Sequence, residues 1–219
     1  MNEQEARQAI CAAGVELVRS ELVAGTWGNV SLRFDDSFMA ITPSGFDYLA
    51  LKPEDVVIVE LATGEARGGK PSTEKELHRE IYRTRGEIGA IVHTHSQSAS
   101  TVASARREVP PVLDDLAQIV GPSIRVADYA IPGTRAMARR VLRALGGRMA
   151  ALMANHGAVA LGRNMDEAIL CAKIVEKGCR VFIEAQFLGG AARLGPVEAR
   201  IMHEVYLRRY SKRSLGETR

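Results

Sequence analysis

Apolar residues recur at helical spacing through residues 3–23, where Ile10, Val15, Leu17, Val18 and Leu22 supply one face. Beyond the break Gly25-Thr26-Trp27-Gly28-Asn29 the period shortens. Residues 30–34 alternate as a strand does, and residues 39–42 form a second strand that stops at Pro43-Ser44-Gly45. A third strand covers residues 56–61 and closes on Thr63-Gly64. A helix is predicted over residues 73–84, with Thr73 and Glu76 at the spacing of a capping box. Residues 89–92 form a short apolar strand, followed by a helix near residues 98–105 and a loop through Pro110-Pro111. The second half predicts a helix over 134–145, an apolar run over 150–154 with its return at 159–161, and a long helix over 166–188. A last helix carries Tyr206 and Tyr210. No repeat, low-complexity tract or linker interrupts this order, so residues 1–219 are expected to form one α/β domain with helices covering a central sheet.

Composition narrows the class. The 219 residues suffice for one core, and 46% hydrophobic with 25% charged residues is the balance of an ordinary globular protein. A net charge of +3 with no run of five or six basic residues does not argue for nucleic acid. Cys11, Cys171 and Cys179 are odd in number and show no Cys-x-x-Cys spacing, which indicates neither a disulfide framework nor a cysteine-zinc site. The opening Met1-Asn2-Glu3-Gln4-Glu5 is polar and acidic, unlike a signal peptide. No apolar stretch approaches the ~20 residues that span a bilayer. A cytoplasmic protein without membrane partners is expected.

The chemistry concentrates at strand ends. In Ile91-Val92-His93-Thr94-His95-Ser96, two histidines stand two apart. Side chains at i and i+2 of a strand point to the same side, so His93 and His95 are expected to converge on one point. A third histidine follows the apolar run 150–154, in Asn155-His156-Gly157, and a carboxylate, Glu74, lies just before a helix in Lys70-Pro71-Ser72-Thr73-Glu74. Three imidazoles and one acid make a first shell for a divalent metal with a position open to substrate. A structural zinc site would instead close with four Cys/His ligands. His78 stands i, i+4 from Glu74 on one helix face and is expected to make a supporting hydrogen bond, while His203 receives no role. Three polar loops, Gly28-Asn29-Val30-Ser31, Thr42-Pro43-Ser44-Gly45 and Pro71-Ser72-Thr73, offer backbone N–H groups and short side chains for an anion.

Taken in order, Gly-Thr-Trp-Gly-Asn-Val-Ser, Thr-Pro-Ser-Gly, Lys-Pro-Ser-Thr-Glu, His-Thr-His-Ser and Asn-His-Gly make the chain resemble the class II aldolase/adducin family from about residue 6 to residue 190. The resemblance implies an α/β/α fold with a central, mainly antiparallel sheet. It also implies a catalytic zinc, with Mn2+ or Co2+ as alternatives, and a homotetramer with active sites at subunit interfaces. Carried over by position, His93, His95 and His156 would be the metal ligands and Glu74 the acid/base. Asn29, Ser44, Gly45, Ser72 and Thr73 would hold the substrate phosphate.

Within the family, the epimerases carry Asp where Glu74 stands and a His-Ala-Asp-Tyr pattern that the loop Pro111-Val112-Leu113-Asp114-Asp115-Leu116 lacks. Glu74 therefore favours cleavage of a ketose 1-phosphate to dihydroxyacetone phosphate and an aldehyde. The loop also lacks the tyrosine of the fuculose-phosphate aldolases. Tyr210, from the C-terminal helix of a neighbouring subunit, resembles their second tyrosine and would be the second acid/base, with Tyr206 as the fallback and Asp115 or Asp114 as the other candidates. That difference suggests a small or deoxygenated substrate, such as 5-deoxyribulose or 5-methylthioribulose 1-phosphate, beside ribulose and fuculose 1-phosphates. An epimerase, a 3-oxo-tetronate 4-phosphate decarboxylase and a non-catalytic adducin-like module are the alternatives. The last would expect degraded ligands, and all three histidines are present.

Overall fold

The computed structural model describes residues 1–213, with side chains described as far as Arg208. Helix α1, Glu3–Arg19, starts on a capping box in which Asn2 and Glu5 exchange 2.8 Å hydrogen bonds. It stops earlier than the apolar pattern predicts because Glu21 turns left-handed at φ 56. Bonds from Glu21 N–H to the Val18 carbonyl and from Leu22 N–H to the Leu17 carbonyl then close the end, so Leu22 packs into the core from outside the helix.

Strands β1 (Asn29–Arg33), β2 (Phe38–Ile41), β3 (Val57–Glu60) and the two-residue β4 (Ala66–Arg67) form an antiparallel meander. Helix α2 (Lys75–Thr84) leads into β5 (Ala90–Thr94), which pairs antiparallel with β1. After α3 (Gln97–Ser104), α4 (Asp114–Ile119), β6 (Arg125–Ala127) and α5 (Arg135–Leu145), the hairpin β7 (Ala150–Met153) and β8 (Gly157–Gly162) closes on β5. The eight-stranded sheet has the order β4-β3-β2-β1-β5-β8-β7-β6, and only the β6–β7 pair is parallel. This is the single-domain α/β fold with a mainly antiparallel sheet that the sequence led us to expect.

Helices α1, α3 and α6 (Met165–Ala185) pack into one layer, and α2 with α5 into another. Covering both faces explains why β5, β7 and β8 are buried at every position, so that they read as unbroken apolar runs rather than as alternation. A last helix, α7 (Pro196–Arg213), packs on α4. Three elements escape the sequence pattern, β4, β6 and α4, each too short to show a period. The capping box expected of Thr73 and Glu76 is not formed: α2 begins at Lys75 and Glu76 pairs with Arg79 at 2.8 Å. Among the described residues, no helix is long and apolar enough to cross a membrane.

Candidate active site

The histidines stand where the sheet ends. His93 is the fourth residue of β5, paired with Asn29 of β1 on one side and Val159 of β8 on the other. His95 lies just past the strand yet keeps the same-side direction, with its ring centroid 4.8 Å from that of His93. His156 sits in the tight turn between β7 and β8 rather than on a strand. Asn155 makes that turn possible by adopting φ 56, a conformation asparagine tolerates, and His156 N–H bonds the Met153 carbonyl. Gly157 is required next, because a Cβ there would lie 2.1 Å from the Thr94 carbonyl oxygen. The turn is thus pressed onto the end of β5, which brings the His156 ring centroid to 4.9 Å from His93 and 4.7 Å from His95.

One imidazole nitrogen of each ring falls within 4.8 Å of the others. His93 donates Nδ1–H to the Ala158 carbonyl at 2.9 Å, so its Nε2 lone pair faces the cluster, 2.9 Å from His95 Nε2. Burial and the neighbouring rings push the His95 imidazolium down to about 4, and burial lowers His156 as well. Convergent imidazoles with one tautomer fixed from behind are the donor set a divalent cation needs.

Glu74 completes the group. Its carboxylate approaches His93 Nε2 at 3.1 Å through Oε2 and His156 Nε2 at 3.4 Å through Oε1. It sits at the N-cap position of α2 without capping the helix, and its backbone N–H is taken by Ser72 Oγ at 3.2 Å. The side chain is thereby released to point at the histidines. Asn29 Nδ2 donates to Oε2 at 2.7 Å, whereas Oε1 is buried with no hydrogen-bond partner. An orphaned buried carboxylate oxygen beside three imidazoles again fits a cation or a substrate proton. Burial opposes ionisation of Glu74, but the His93 and His156 rings and the Asn29 amide outweigh it and hold the carboxyl below its ordinary range.

The loops expected to bind phosphate are joined by backbone. Ser44 N–H bonds the Lys70 carbonyl and Ser72 N–H the Thr42 carbonyl, both at 3.1 Å, while Thr42 Oγ1 accepts from Val30 N–H beside Asn29. Ser72 is buried, Ser44 half-buried, and Gly45 and Thr73 are exposed. The loop before α5 reaches the same place: a Cβ on Gly133 would lie 2.8 Å from the Thr73 carbonyl oxygen. Asn29 differs from the other four, since its amide is committed to Glu74 and His78.

The remaining expected residues lie elsewhere. Asp115 is in the first turn of α4, and Lys177 Nζ donates to its carboxylate at 2.6 Å. Tyr210 belongs to α7, and its side chain falls outside the described residues. His203 is buried against the Gln118 carbonyl, far from any role in the cluster. His78 makes the expected supporting bond, to Asn29 at 2.5 Å, and the contacts continue through Ser31, the end of the first polar loop, to Tyr82, which no motif marked. Trp27 lies against His95 with ring centroids 5.5 Å apart. Its place inside a glycine-rich loop was the available signal, because a large aromatic there has no core to enter.

Known proteins resemble the chain over most of its length. The family described as Class II Aldolase and Adducin N-terminal domain matches residues 8–183. The chain is 39% identical over 189 residues to 5-deoxy-D-ribulose 1-phosphate aldolase of Bacillus thuringiensis serovar kurstaki, covering 85% of this chain and 88% of that one. It is 38% identical over 172 residues to 5-methylthioribulose-1-phosphate/5-deoxyribulose-1-phosphate aldolase of Rhodospirillum rubrum, covering 78% and 77%. Among solved structures, an L-fuculose 1-phosphate aldolase superposes with a TM-score of 0.88 at 34% identity, over 92% of this chain and 96% of that one.

Proposed function

The chain belongs to the class II aldolase and adducin family, and on that premise we propose that it cleaves a ketose 1-phosphate to dihydroxyacetone phosphate and an aldehyde, with zinc held by His93, His95 and His156. Co2+ and Mn2+ are the alternatives, Mn2+ drawing more on the oxygen donors of Glu74 and substrate than on the imidazoles. The observation that carries this reading is the convergence of three imidazoles on one point with an ionised Glu74 beside them. A divalent cation there supplies the Lewis acid that polarises the ketose carbonyl and the adjoining hydroxyl.

The chain's own groups handle protons and position. In the condensation direction, Glu74 removes the C3 proton of dihydroxyacetone phosphate, and the electron pair passes to the C2 oxygen as an enediolate. C3 then forms the new bond to the aldehyde carbon, whose oxygen takes a proton, so that one proton removed is balanced by one delivered. Cleavage runs the same steps backwards: C3–C4 breaks, the C4 hydroxyl gives up its proton to become the aldehyde, and Glu74 returns a proton to C3. We assign the hydroxyl-side proton to Tyr210 of a neighbouring subunit, with Tyr206 as the alternative. Asp115 would have to leave Lys177 before it could serve. Ser44, Gly45, Ser72 and Thr73 are assigned to the phosphate, supported by their hydrogen-bonded loops and the nearby N-terminus of α2. Asn29 is assigned there as well, through its second Nδ2–H, since the first is held by Glu74, Oδ1 by His78 and the backbone by β5.

The aldehyde half is proposed to be small and deoxygenated, as in 5-deoxyribulose or 5-methylthioribulose 1-phosphate. The names of two relatives and the apolar face of Trp27 beside His95 support this. A homotetramer with the site at a subunit interface is supported by the exposed apolar residues Trp27, Tyr129 and Ile131 around the loops of the site; sedimentation of the purified protein tests it. The decisive experiment for the reaction is release of dihydroxyacetone phosphate from a panel of ketose 1-phosphates, with and without chelator. Chelator-sensitive release ranked towards the deoxy sugars is expected. No release from any member by the zinc-loaded protein would overturn the proposal.

A further inference from the structure

Behind Glu74 runs a chain of buried polar groups with a fixed direction. Tyr82 Oη lies 2.8 Å from Ser31 Oγ, Ser31 Oγ 2.6 Å from His78 Nδ1, His78 Nε2 2.5 Å from Asn29 Oδ1, and Asn29 Nδ2 2.7 Å from Glu74 Oε2. All five side chains are buried. The carboxylate at the end only accepts, so the NH2 of Asn29 must face it and the amide oxygen must face His78. His78 must then donate from Nε2, which leaves Nδ1 to accept from the Ser31 hydroxyl. Ser31 in turn takes the Tyr82 proton, since the Gly89 carbonyl at 3.4 Å is the weaker partner. Every donor in the chain therefore points towards Glu74. Complete burial keeps the imidazole neutral, pushing its charged form down to about 3, so Nδ1 accepts from Ser31 rather than donating to it.

A rotated Asn29 amide would turn its carbonyl on the carboxylate and drive Glu74 from its place. Nothing in Asn29 itself prevents the rotation, because the two ends of the amide have nearly the same shape. His78 opposes it, because its Nε2–H donates to the amide oxygen while Nδ1 is held by Ser31, and an NH2 group turned on that N–H would lose the bond. We propose that His78 is a positioning residue for the acid/base step: through Asn29 it anchors Oε2 of Glu74 and so reserves the unpartnered Oε1 for the proton at C3 of the substrate. The inference rests on the proposed aldolase reaction for its kinetic consequence, whereas its structural content does not.

The structural content is read first, on the zinc-loaded protein labelled with 15N-histidine. Long-range 15N–1H correlations, with the His78 signals assigned by their loss in His78→Met, are expected to show a neutral ring protonated on Nε2. A ring protonated on Nδ1, or a cationic ring, overturns the proposal whatever the substrate proves to be. Kinetics follow with dihydroxyacetone phosphate release and with exchange of its C3 proton against solvent. His78→Met is expected to lower kcat and the exchange rate together by about 10- to 100-fold, the kinetic equivalent of one hydrogen bond to a charged group, with KM and zinc content held within about twofold. His78→Gln, whose amide N–H can take the place of Nε2–H, is expected to recover most of the rate. Ser31→Ala, a smaller change should His78→Met fold poorly, is expected to lose rate without raising KM. Wild-type kcat in His78→Met, or equal losses in His78→Met and His78→Gln, would place His78 among ordinary packing residues. Should wild-type protein release no dihydroxyacetone phosphate, the aldolase reading fails and the ring tautomer alone decides this proposal.

Discussion

At the floor of the site, Asn29, Ser31, Glu74, His78 and His93 are buried and linked by contacts of 2.5 to 3.1 Å. Around it, Trp27 and Ile131 are each 67% exposed, and Phe46 and Tyr129 also face outwards. The floor hangs on strand register: Asn29 pairs with His93, His93 pairs with Val159, and the β7–β8 turn is pressed onto Thr94. The rim hangs on loops, with its large side chains turned towards solvent. The floor is therefore suited to a reaction that tolerates little displacement, and the rim to a substrate portion that can vary among relatives. Under the proposed function, reaction class and substrate choice would be written in different parts of one site.

If that division holds, damage to the floor destroys chemistry whatever the substrate. His95→Ala is expected to lose both metal and activity, read as zinc per chain and as dihydroxyacetone phosphate release. Retained stoichiometric zinc in that variant would remove His95 from the ligand set. Glu74→Gln is expected to keep the metal and lose about 10²- to 10⁴-fold in kcat, the usual contribution of an acid/base group. A near wild-type rate would assign the C3 proton to another residue.

Acid separates floor from rim without mutation. His78 stays neutral in the folded protein down to about 3, whereas in the unfolded chain an imidazole titrates at its ordinary 6.5. Between these values only the unfolded chain binds the proton, so this contribution is complete above pH 6.5 and shrinks as pH falls. Denaturant melts of metal-free protein at pH 7 and pH 5 are expected to differ by about 2 kcal/mol from His78, with His95 adding in the same direction. In His78→Met the difference should narrow, and an unchanged one would contradict the buried neutral ring. At the rim, Trp27→Ser is expected to leave zinc and folding unchanged while shifting the preference for 5-deoxyribulose over ribulose 1-phosphate by about tenfold, the scale of one apolar contact in a pocket. An unaltered ratio would detach Trp27 from specificity.

The same division governs what the sequence made legible. His93 and His95 were readable because a strand has a period of two, and His156 because a polar Asn-His-Gly ends an apolar run. The sheet was readable as apolar runs, although β4, β6 and α4 were too short to carry a pattern. Of the chain from Tyr82 to Glu74 only the supporting bond of His78 was readable, because the rest joins β1 to α2 at a sequence separation of 51 between Ser31 and Tyr82. Hydrogen-bond partnership at that separation leaves no local signature. Thr73 and Glu76 misled for a related reason: the capping spacing is local, whereas the demand that Glu74 face the histidines is tertiary and overrides it.

The smallest effect is expected from Asp115, and it bears on where the site ends. Within one chain Asp115 is paired with Lys177 at 2.6 Å, with 35% and 54% of the two side chains exposed. Water screens such a pair, so Asp115→Asn should change stability by less than about 1 kcal/mol. The carboxylate has no contact with the histidine cluster of its own chain, and kcat is expected to stay within about twofold of wild type. A loss of tenfold or more, with stability unchanged, would mean that Asp115 acts on the site of another subunit. In that case the boundary between floor and rim would run through the oligomer, and part of the chemistry would belong to the same exposed surface that selects the substrate. Mixing Asp115→Asn with His95→Ala chains decides between these outcomes, because recovered activity in the mixture requires the two residues to serve one site from different subunits.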